Sequence, residues 1–555
     1  MKKLLIVLFI CLVFAGRGYA ACTGSSPTWT TTPDYTSVSS CVSQATAGDT
    51  VNVSAGTANW SNRLLIDKSL IVTGAGIGNT VITWTGGNSQ AIKYSTSSDS
   101  VFALSGFTLD CNNLSNSMYG LQIYNSSKTV TFKNLRVHHN RITNCGNGIY
   151  TLGTIFGVID NNQMVGNKTV FRIFGNQSYS WDTEPLQLGT ANSLYIEANI
   201  LSGTTDETTL TGWGARWVFR KNTIDLTSSG YNVLDGHGNL PSAYPVCDPY
   251  SLRGNVGIEI YENTFTTINR TNASLMDMRG GTNIMFDNIG TGNPLKCGDM
   301  SIRVREEDAN TVGGSCYPLK TTYPGYDPVK DTYIWNNVCE GTPLTFSNED
   351  NNSLMIIEKQ DYWADVLEWD GGPTTYFTKG LSSGRSGACT AQDVYWETDN
   401  KKLYRCTATN TWTLEYTPYT YPHPSIVSCT PAKVVYTTQP GGGAINSIWS
   451  QQPVVEVQDA GSNRCYYATD TIALVPSSGA IICNTEPLNA ANGVVSFTGC
   501  YMATSGSGLT LTASSGALTP AVSSAFNITT PVSSRGLVIR TPVSRSQVNR
   551  SQVAR

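Results

Sequence analysis

The sequence predicts an all-β protein, a parallel β-helix followed by a small β-sandwich. Three observations predict it. A short apolar strand, an asparagine and a second apolar pair recur between residues 135 and 340. The β-branched alternation between those asparagines carries no helical period. Past Cys429 the repeat gives way to separate alternating strands between turns, as in a sandwich.

The first twenty residues read as an export signal. Lys2 and Lys3 precede an apolar run from Leu4 to Ala15, and Gly18-Tyr19-Ala20 supplies small residues for cleavage. The run is short for a membrane span. A lipoprotein anchor at Cys22 is the lesser reading, because Tyr19 stands where a lipobox has Leu. Cys11 leaves with the signal, so 14 of the 15 cysteines remain, an even number suited to disulfides in an oxidising compartment. No CxxC pair points to a zinc ribbon or a thioredoxin-like site. The net charge of −4 becomes −7 in the mature chain, and no global basic charge argues for nucleic acid.

Residues 21–428 are assigned to the β-helix. The repeat reads V-H-H-N-R-I at Asn140, I-D-N-N-Q-M at Asn162, I-E-A-N-I-L at Asn199 and F-R-K-N-T-I at Asn222. It continues with I-Y-E-N-T-F at Asn263, M-F-D-N-I at Asn288 and I-W-N-N-V at Asn337, at spacings of 22, 37, 23, 41, 25 and 49. A period near 22 fits a coil of three short strands, and the longer spacings are that period plus insertions. Asparagine suits the bend because it tolerates left-handed backbone angles and its amide can bond from coil to coil.

Here the chain resembles the right-handed parallel β-helix proteins of the pectate-lyase-like superfamily. G-D-T-V-N-V-S-A-G-T from Gly48 and L-I-V-T-G-A-G-I-G-N-T-V-I from Leu70 are similar to the family's N-terminal coils. D-Y-W from Asp361 and Y-T-P-Y-T-Y-P-H-P from Tyr416 resemble the closing segment of exported members. The resemblance covers about residues 35 to 425 and implies the fold; lyases, hydrolases, epimerases, depolymerases and adhesins share it. Gly74, Gly76 and Gly78 imitate a nucleotide loop, but the strand-like T-V-I-T-W that follows makes them a turn between coils.

An insert at about 366–414 interrupts the closing segment. V-Y-W-E-T and K-L-Y-R-C flank a D-N-K turn as a hairpin, with a Cys389–Cys406 bridge expected across it. Trp363, Trp369, Tyr395, Trp396, Tyr404 and Trp412 concentrate there. Rings facing solvent, Trp396 and Trp412 first, would stack on sugar; rings facing the β-helix would hold the insert down, the favoured reading. Residues 429–530 resemble bacterial Ig-like domains, with Cys429, Cys465, Cys483 and Cys500 open to three pairings. Residues 531–555 carry Arg535, Arg540, Arg545, Arg550 and Arg555 without an acid between them, a disordered basic tail that would contact an anionic surface.

Function in a stacked-coil fold belongs on loops along one side, and insertions at about 163–190, 225–253 and 289–330 mark that side. Aligning the repeats on asparagine brings Gly153, Gly189, Gly254 and Gly280 to one bend, preceded by Leu152, Leu188, Arg253 and Arg279. Two arginines then stack on strands ~4.8 Å apart and call for anions. Asp277, Glu259 or Glu262 would supply them within the protein; an acidic polysaccharide would supply them from outside. Asp248, Arg303, Arg305, Glu306, Glu307 and Asp308 would extend such a groove, although a charge run is ordinarily a solvated loop.

Two chemistries fit the groove. In β-elimination, His237 is base or acid while Arg253 and Arg279 neutralise the uronate. In hydrolysis, Asp235, Asp248 and Asp277 supply a carboxyl pair. The bland account of His237 is a polar turn residue between glycines. Its G-H-G is similar to a polygalacturonase element, but that family's paired aspartates and R-I-K are missing, as is the R-x-P-x-x-R of pectate lyases. The expectation is an exported or cell-surface protein that binds extracellular or cell-wall polysaccharide. If it is an enzyme, lyase is preferred to glycoside hydrolase; no metal site is assigned, and Ca²⁺ stays an open cofactor. The rival is a non-catalytic surface, adhesive or envelope protein in which the β-helix is a stiff spacer.

Overall fold

One turn of the chain shows how the repeat becomes structure. Leu135–His138 runs in a first sheet, Arg141–Cys145 in a second and Asn147–Leu152 in a third, before Gly157–Asp160 returns to the first. Each strand pairs in parallel with its counterpart one coil later. The three sheets, here A, B and C, have 13, 11 and 10 strands. Among the described residues, antiparallel pairs occur in them only at the ends, at Thr23–Ser25 with Thr28–Thr31 and Val338–Cys339 with Thr342–Pro343.

This computed structural model describes residues 22–530 except 88, 114, 116, 126, 128–129, 176–184, 228–231, 237–254, 269–272, 293–299, 306–322, 324–328, 349–355, 369–371, 425–430, 461–463, 466–467, 469 and 491–492. The expected signal and basic tail lie outside them. The chain divides near residue 426 into two compact units. No helix among the described residues is long and apolar enough to cross a membrane.

Side chains that alternate inward from the three sheets fill one continuous core, from Val51 and Trp60 through Phe171 and Met276 to Phe346. An α-helix, Tyr35–Gln44, buries Val38, Cys41 and Val42 in its N-terminal end. Asp34 caps that helix by accepting from the Ser37 N–H at 2.9 Å. A stacked fold needs such a cover, because its end coil has no neighbour. Cys22 is bonded to Cys41, and Cys111 to Cys145. Gly76 and Gly78 have φ of 121° and 79° between strands Leu70–Gly74 and Thr80–Trp84, so they turn one strand into the next.

The seven repeat asparagines form a buried ladder between sheets A and B. Asn199 donates through Nδ2 to the carbonyls of Ile159 and Glu197 and to Asn222 Oδ1, at 2.9, 3.1 and 3.0 Å. Its Oδ1 accepts from the backbone and side-chain nitrogens of Asn162. The same links join Asn140 to Asn162, Asn222 to Asn263, Asn263 to Asn288 and Asn288 to Asn337. The left-handed angle, however, belongs to the residue before each asparagine: His139, Asn161, Ala198, Lys221, Glu262, Asp287 and Asn336 have φ between 52° and 56°. Asparagine is selected here for its amide, and the strained position accepts almost any side chain.

The insert folds as a four-stranded sheet of Phe377–Gly380, Val394–Glu397, Lys402–Ala408 and Thr411–Tyr416, with Cys389 bonded to Cys406. It packs on the outer face of sheet A, where Tyr261, Phe286 and Trp335 stack at 4.7 and 4.4 Å. The segment after it is pinned by Arg220, which is wholly buried and donates to Glu197, to Tyr261 and to the carbonyls of Tyr419 and Thr420. The second unit is also β, with its own core around Val434, Trp449, Val457, Ile472 and Phe526, and with Cys483 bonded to Cys500.

Candidate functional site

Sheet C carries the charged cluster. In its strands Asn232–Gly236, Ala273–Arg279 and Met300–Arg305, the core takes Leu234, Met276, Met278, Ile302 and Val304. The residues between them, Asp235, Asp277, Arg279, Arg303 and Arg305, therefore point outward. Register places Asp235 beside Asp277 beside Arg303, and Arg279 beside Arg305.

Asp277 is the hub. It accepts from Arg303 Nη2 at 2.8 Å and from Arg305 Nε and Nη2 at 3.0 and 2.8 Å, while Arg279 Nη2 stands 3.5 Å away. Arg279 also donates to Asp235 at 3.1 Å. Both carboxylates are fully buried, and the three guanidinium groups are largely so. Glu207, which begins the strand Glu207–Gly212, adjoins this cluster. Burial, then the charges of Asp235 and Asp206, push its carboxyl up to about 8. It shares a hydrogen bond with Asp235, so the two carboxyl groups titrate as a pair.

Arg279, Asp235, Asp277, Arg303 and Arg305 thus come together, while His237, Asp248 and Arg253 lie outside the described residues. Arg279 stands beside Arg305, while the expected column of Arg253 on Arg279 falls on an undescribed residue. Leu188 does not stack on Leu152; Phe174 does. Insertions lie between the sheet C strand and the next asparagine, so counting back from asparagine crosses them and loses register. Gly189, beyond such an insertion, donates its N–H to Glu259 Oε1 at 2.8 Å. Glu259 also accepts from Tyr416, and Glu262 pairs with Lys221 and Lys401; neither serves Arg279 as expected.

The solvent-facing alternative is corrected for Trp396. Trp396 is 3% exposed, packed 4.9 Å from Trp335 and 5.2 Å from Phe286, and has no face to offer a sugar. Trp412 is half-buried in the insert's own sheet, donating to the Ser386 carbonyl at 2.7 Å. Trp396 belongs with sheet A, and the contacts of Trp412 with Ser386, Tyr395 and Arg385 lie within the insert. Among the described residues, no group of three or more His, Cys, Asp or Glu side chains is placed to hold a metal ion. Glu207 escaped sequence reading because it sits in no motif; only the strand register of sheet C brings it to Asp235.

No protein-family description matches the sequence. The chain is 28% identical over 255 residues to the pre-neck appendage protein of Bacillus phage B103, a match covering 42% of this chain and 29% of that protein. The chain therefore spans less than a third of the length of that relative. Among solved structures it is similar to the Azotobacter vinelandii mannuronan C-5 epimerase AlgE6 A-module, with a TM-score of 0.38 and 14% identity over 60% of this chain and 91% of that one. ORF18 of Geobacillus virus E2 gives 0.31 and 13% over 77% and 81%. The tailspike of E. coli bacteriophage HK620 gives 0.24 and 11% over 87% and 82%. Likenesses this weak carry no argument, and the parallel β-helix rests on the sheets of this chain.

Proposed function

We propose that this protein is exported or displayed on a cell or virion surface and binds acidic polysaccharide on the outer face of sheet C. The observation that carries the reading is the cluster around Asp277. Three guanidinium groups, of Arg279, Arg303 and Arg305, meet the carboxylates of Asp235 and Asp277 there on the outward side of the sheet, on a chain of net charge −4. Guanidinium groups held on a face that projects from a rigid sheet suit the carboxylates of a uronate polymer. The name of the phage B103 relative, an appendage protein, supports a surface setting. Residues 1–20 act as the signal, 429–530 as an Ig-like module and 531–555 as a basic tail for anionic surfaces.

Cleavage is the finer reading. β-Elimination would use His237 as base or acid, with Arg253 and Arg279 as neutralisers. Hydrolysis gains support from Glu207, whose carboxyl is raised by burial and by the neighbouring Asp235. The non-catalytic alternative gains support from the internal pairing of Arg279, Arg303 and Arg305 and from the burial of Trp396.

The test is a panel of uronate polysaccharides, with and without Ca²⁺, scored for retention, for new reducing ends and for the ultraviolet absorbance of an unsaturated uronate. Binding that falls at least about tenfold in Arg305→Gln, a loss of 1.4 kcal/mol or more, is expected. Absorbance growth abolished by Arg279→Ala establishes a lyase, and reducing ends without absorbance establish a hydrolase. Retention at background across the panel overturns the reading.

A further inference from the structure

Nearer the N-terminus, the outer face of sheet C changes character from ion-paired to aromatic and cationic. Register sets Lys93 beside Gln122, Tyr150 and Arg172 on successive coils. The next outward column runs from Tyr124 through Leu152 and Phe174 to Gly212. Alternation requires this orientation, because Tyr94, Ile123 and Ile173 occupy the core between them.

The rings form a continuous row. Tyr119 stacks on Tyr150 at 5.0 Å, Tyr150 meets Phe174 edge-on at 6.0 Å, and Phe174 stacks on Trp213 at 4.5 Å. A cavity lined in part by Phe174, Gly175, Gly214 and Arg216 lies at the end of this row. Tyr119, Tyr124, Tyr150 and Trp213 are half-buried, so each keeps part of its ring in solvent.

Two cations lie on those rings. Lys93 Nζ is 4.4 Å from the centre of the Tyr124 ring, and the Arg172 guanidinium is 4.8 Å from Phe174 and 5.7 Å from Tyr150. Among the described residues neither makes an ion pair with a carboxylate, in contrast to the arginines around Asp277. Burial and the neighbouring Arg63 hold Lys93 below the usual lysine range. An anion delivered to this face would relieve that opposition.

We infer that the Lys93–Tyr150–Arg172–Trp213 face is a binding platform for a carboxylate-bearing polysaccharide lying along the axis of the coils, with sugar rings on the aromatic row and acid groups at Lys93 and Arg172. The inference rests on the polysaccharide reading above and deepens it, extending the contact from the Asp277 cluster toward the N-terminal coils. Arg172 occupies the same outward column as Asp235, Asp277 and Arg303, with Leu210 between, so one chain could follow a single column of the sheet. Aromatic faces suit the apolar faces of pyranose rings, and cations on those rings make the choice acidic rather than neutral sugar.

The test titrates the full chain with a uronate oligosaccharide, its methyl-esterified neutral form and inorganic polyphosphate. Wild type is expected to prefer the uronate to both. The pair Lys93→Gln with Arg172→Gln should lose at least about tenfold in affinity with a flatter salt dependence, and Tyr150→Ala should lose affinity for the uronate at every salt concentration. Arg172→Lys, which keeps the charge, should retain part of the affinity, and an unchanged thermal midpoint separates each loss from misfolding. Full affinity in the double variant, with loss in Arg305→Gln, overturns the platform and leaves the Asp277 cluster standing. Full affinity in both, or no uronate binding by wild type, overturns the platform together with the reading it rests on. Equal or better binding of polyphosphate overturns the sugar.

Discussion

Arg279 and Arg305 are paired neighbours on adjacent strands of sheet C, and one carboxylate lies between them: Asp277 is 3.5 Å from the first and 2.8 Å from the second. Two guanidinium groups at strand spacing repel, and the shared anion two residues earlier on the strand of Arg279 makes the column tolerable. Arg303, directly beside Asp277 in register, closes the arrangement at 2.8 Å.

Removing that anion should be costly. Asp277→Asn keeps the shape but leaves three arginines around a neutral amide, and breaking a buried pair from one side typically costs about 3–5 kcal/mol. Arg303→Ala removes the most exposed cation of the group and should cost about 1 kcal/mol. Urea midpoints at low and high salt check the ranking. Equal effects of the two substitutions would contradict the hub role of Asp277.

The ladder supports a sharper contrast. Ala198 is left-handed at φ 56° while Asn199 beside it is fully bonded. Ala198→Gly should therefore stabilise by about 0.5–1 kcal/mol, since glycine adopts that angle freely. Asn199→Ala strips acceptors from Asn162 and donors from two buried carbonyls, and should cost about 2–4 kcal/mol. Chemical denaturation of both variants checks the signs, which are opposite at adjacent positions.

That contrast also shows how far the sequence could be read. The spacing of Asn140 to Asn337 carries the coil number and the ladder, because an amide bonding along the axis must recur at every turn. It does not reveal that His139, Ala198 or Glu262 takes the left-handed angle, since the coil's closure forces it on whatever residue is there. Arg279, Asp235 and Asp277 were legible as charged outward positions. Asp277 was among the three anions expected for Arg279, but the Asp235 contact and the Arg279–Arg305 column were not legible, because insertions shift any count made from asparagine, and register in sheet C depends on pairing across coils. Trp396 was read toward solvent and sugar as one of two choices. Trp335 and Phe286, which bury it, lie about 60 and 110 residues earlier, a contact no local pattern reports.

Acid should destabilise the first unit through two buried histidines. Burial, then Arg136, bring His138 down to about 3 against the opposing pull of Asp160. Burial, then Arg220, bring His423 to about 4, again opposed by Asp160, with Tyr195 and Tyr419 packed on its ring. Both folded values lie below the ordinary 6.5, so the unfolded chain binds protons first. Stability is complete above pH 6.5 and is lost as pH falls toward 4, then toward 3 for His138 alone. Two protons give a slope of up to about 2.7 kcal/mol per pH unit. Thermal midpoints from pH 7 to 4 check it, and His138→Gln should flatten the fall.

Arg220 holds the closing segment, and its loss should free that segment before the coils. It is fully buried with Glu197 at 2.6 Å, and it donates to the carbonyls of Tyr419 and Thr420 on a chain that is about 200 residues away in sequence. His423 contributes its backbone N–H to the other oxygen of Glu197 at 3.0 Å. Arg220→Met strands a buried carboxylate and releases two carbonyls, a cost of about 3–5 kcal/mol. The double variant Arg220→Met with Glu197→Gln removes both charges and should recover part of it. Amide exchange should quicken first around Tyr419 to His423, while the Asn199 and Asn222 amides, bonded within the ladder, stay protected. Uniform quickening across both would show that Arg220 supports the coils rather than the strap.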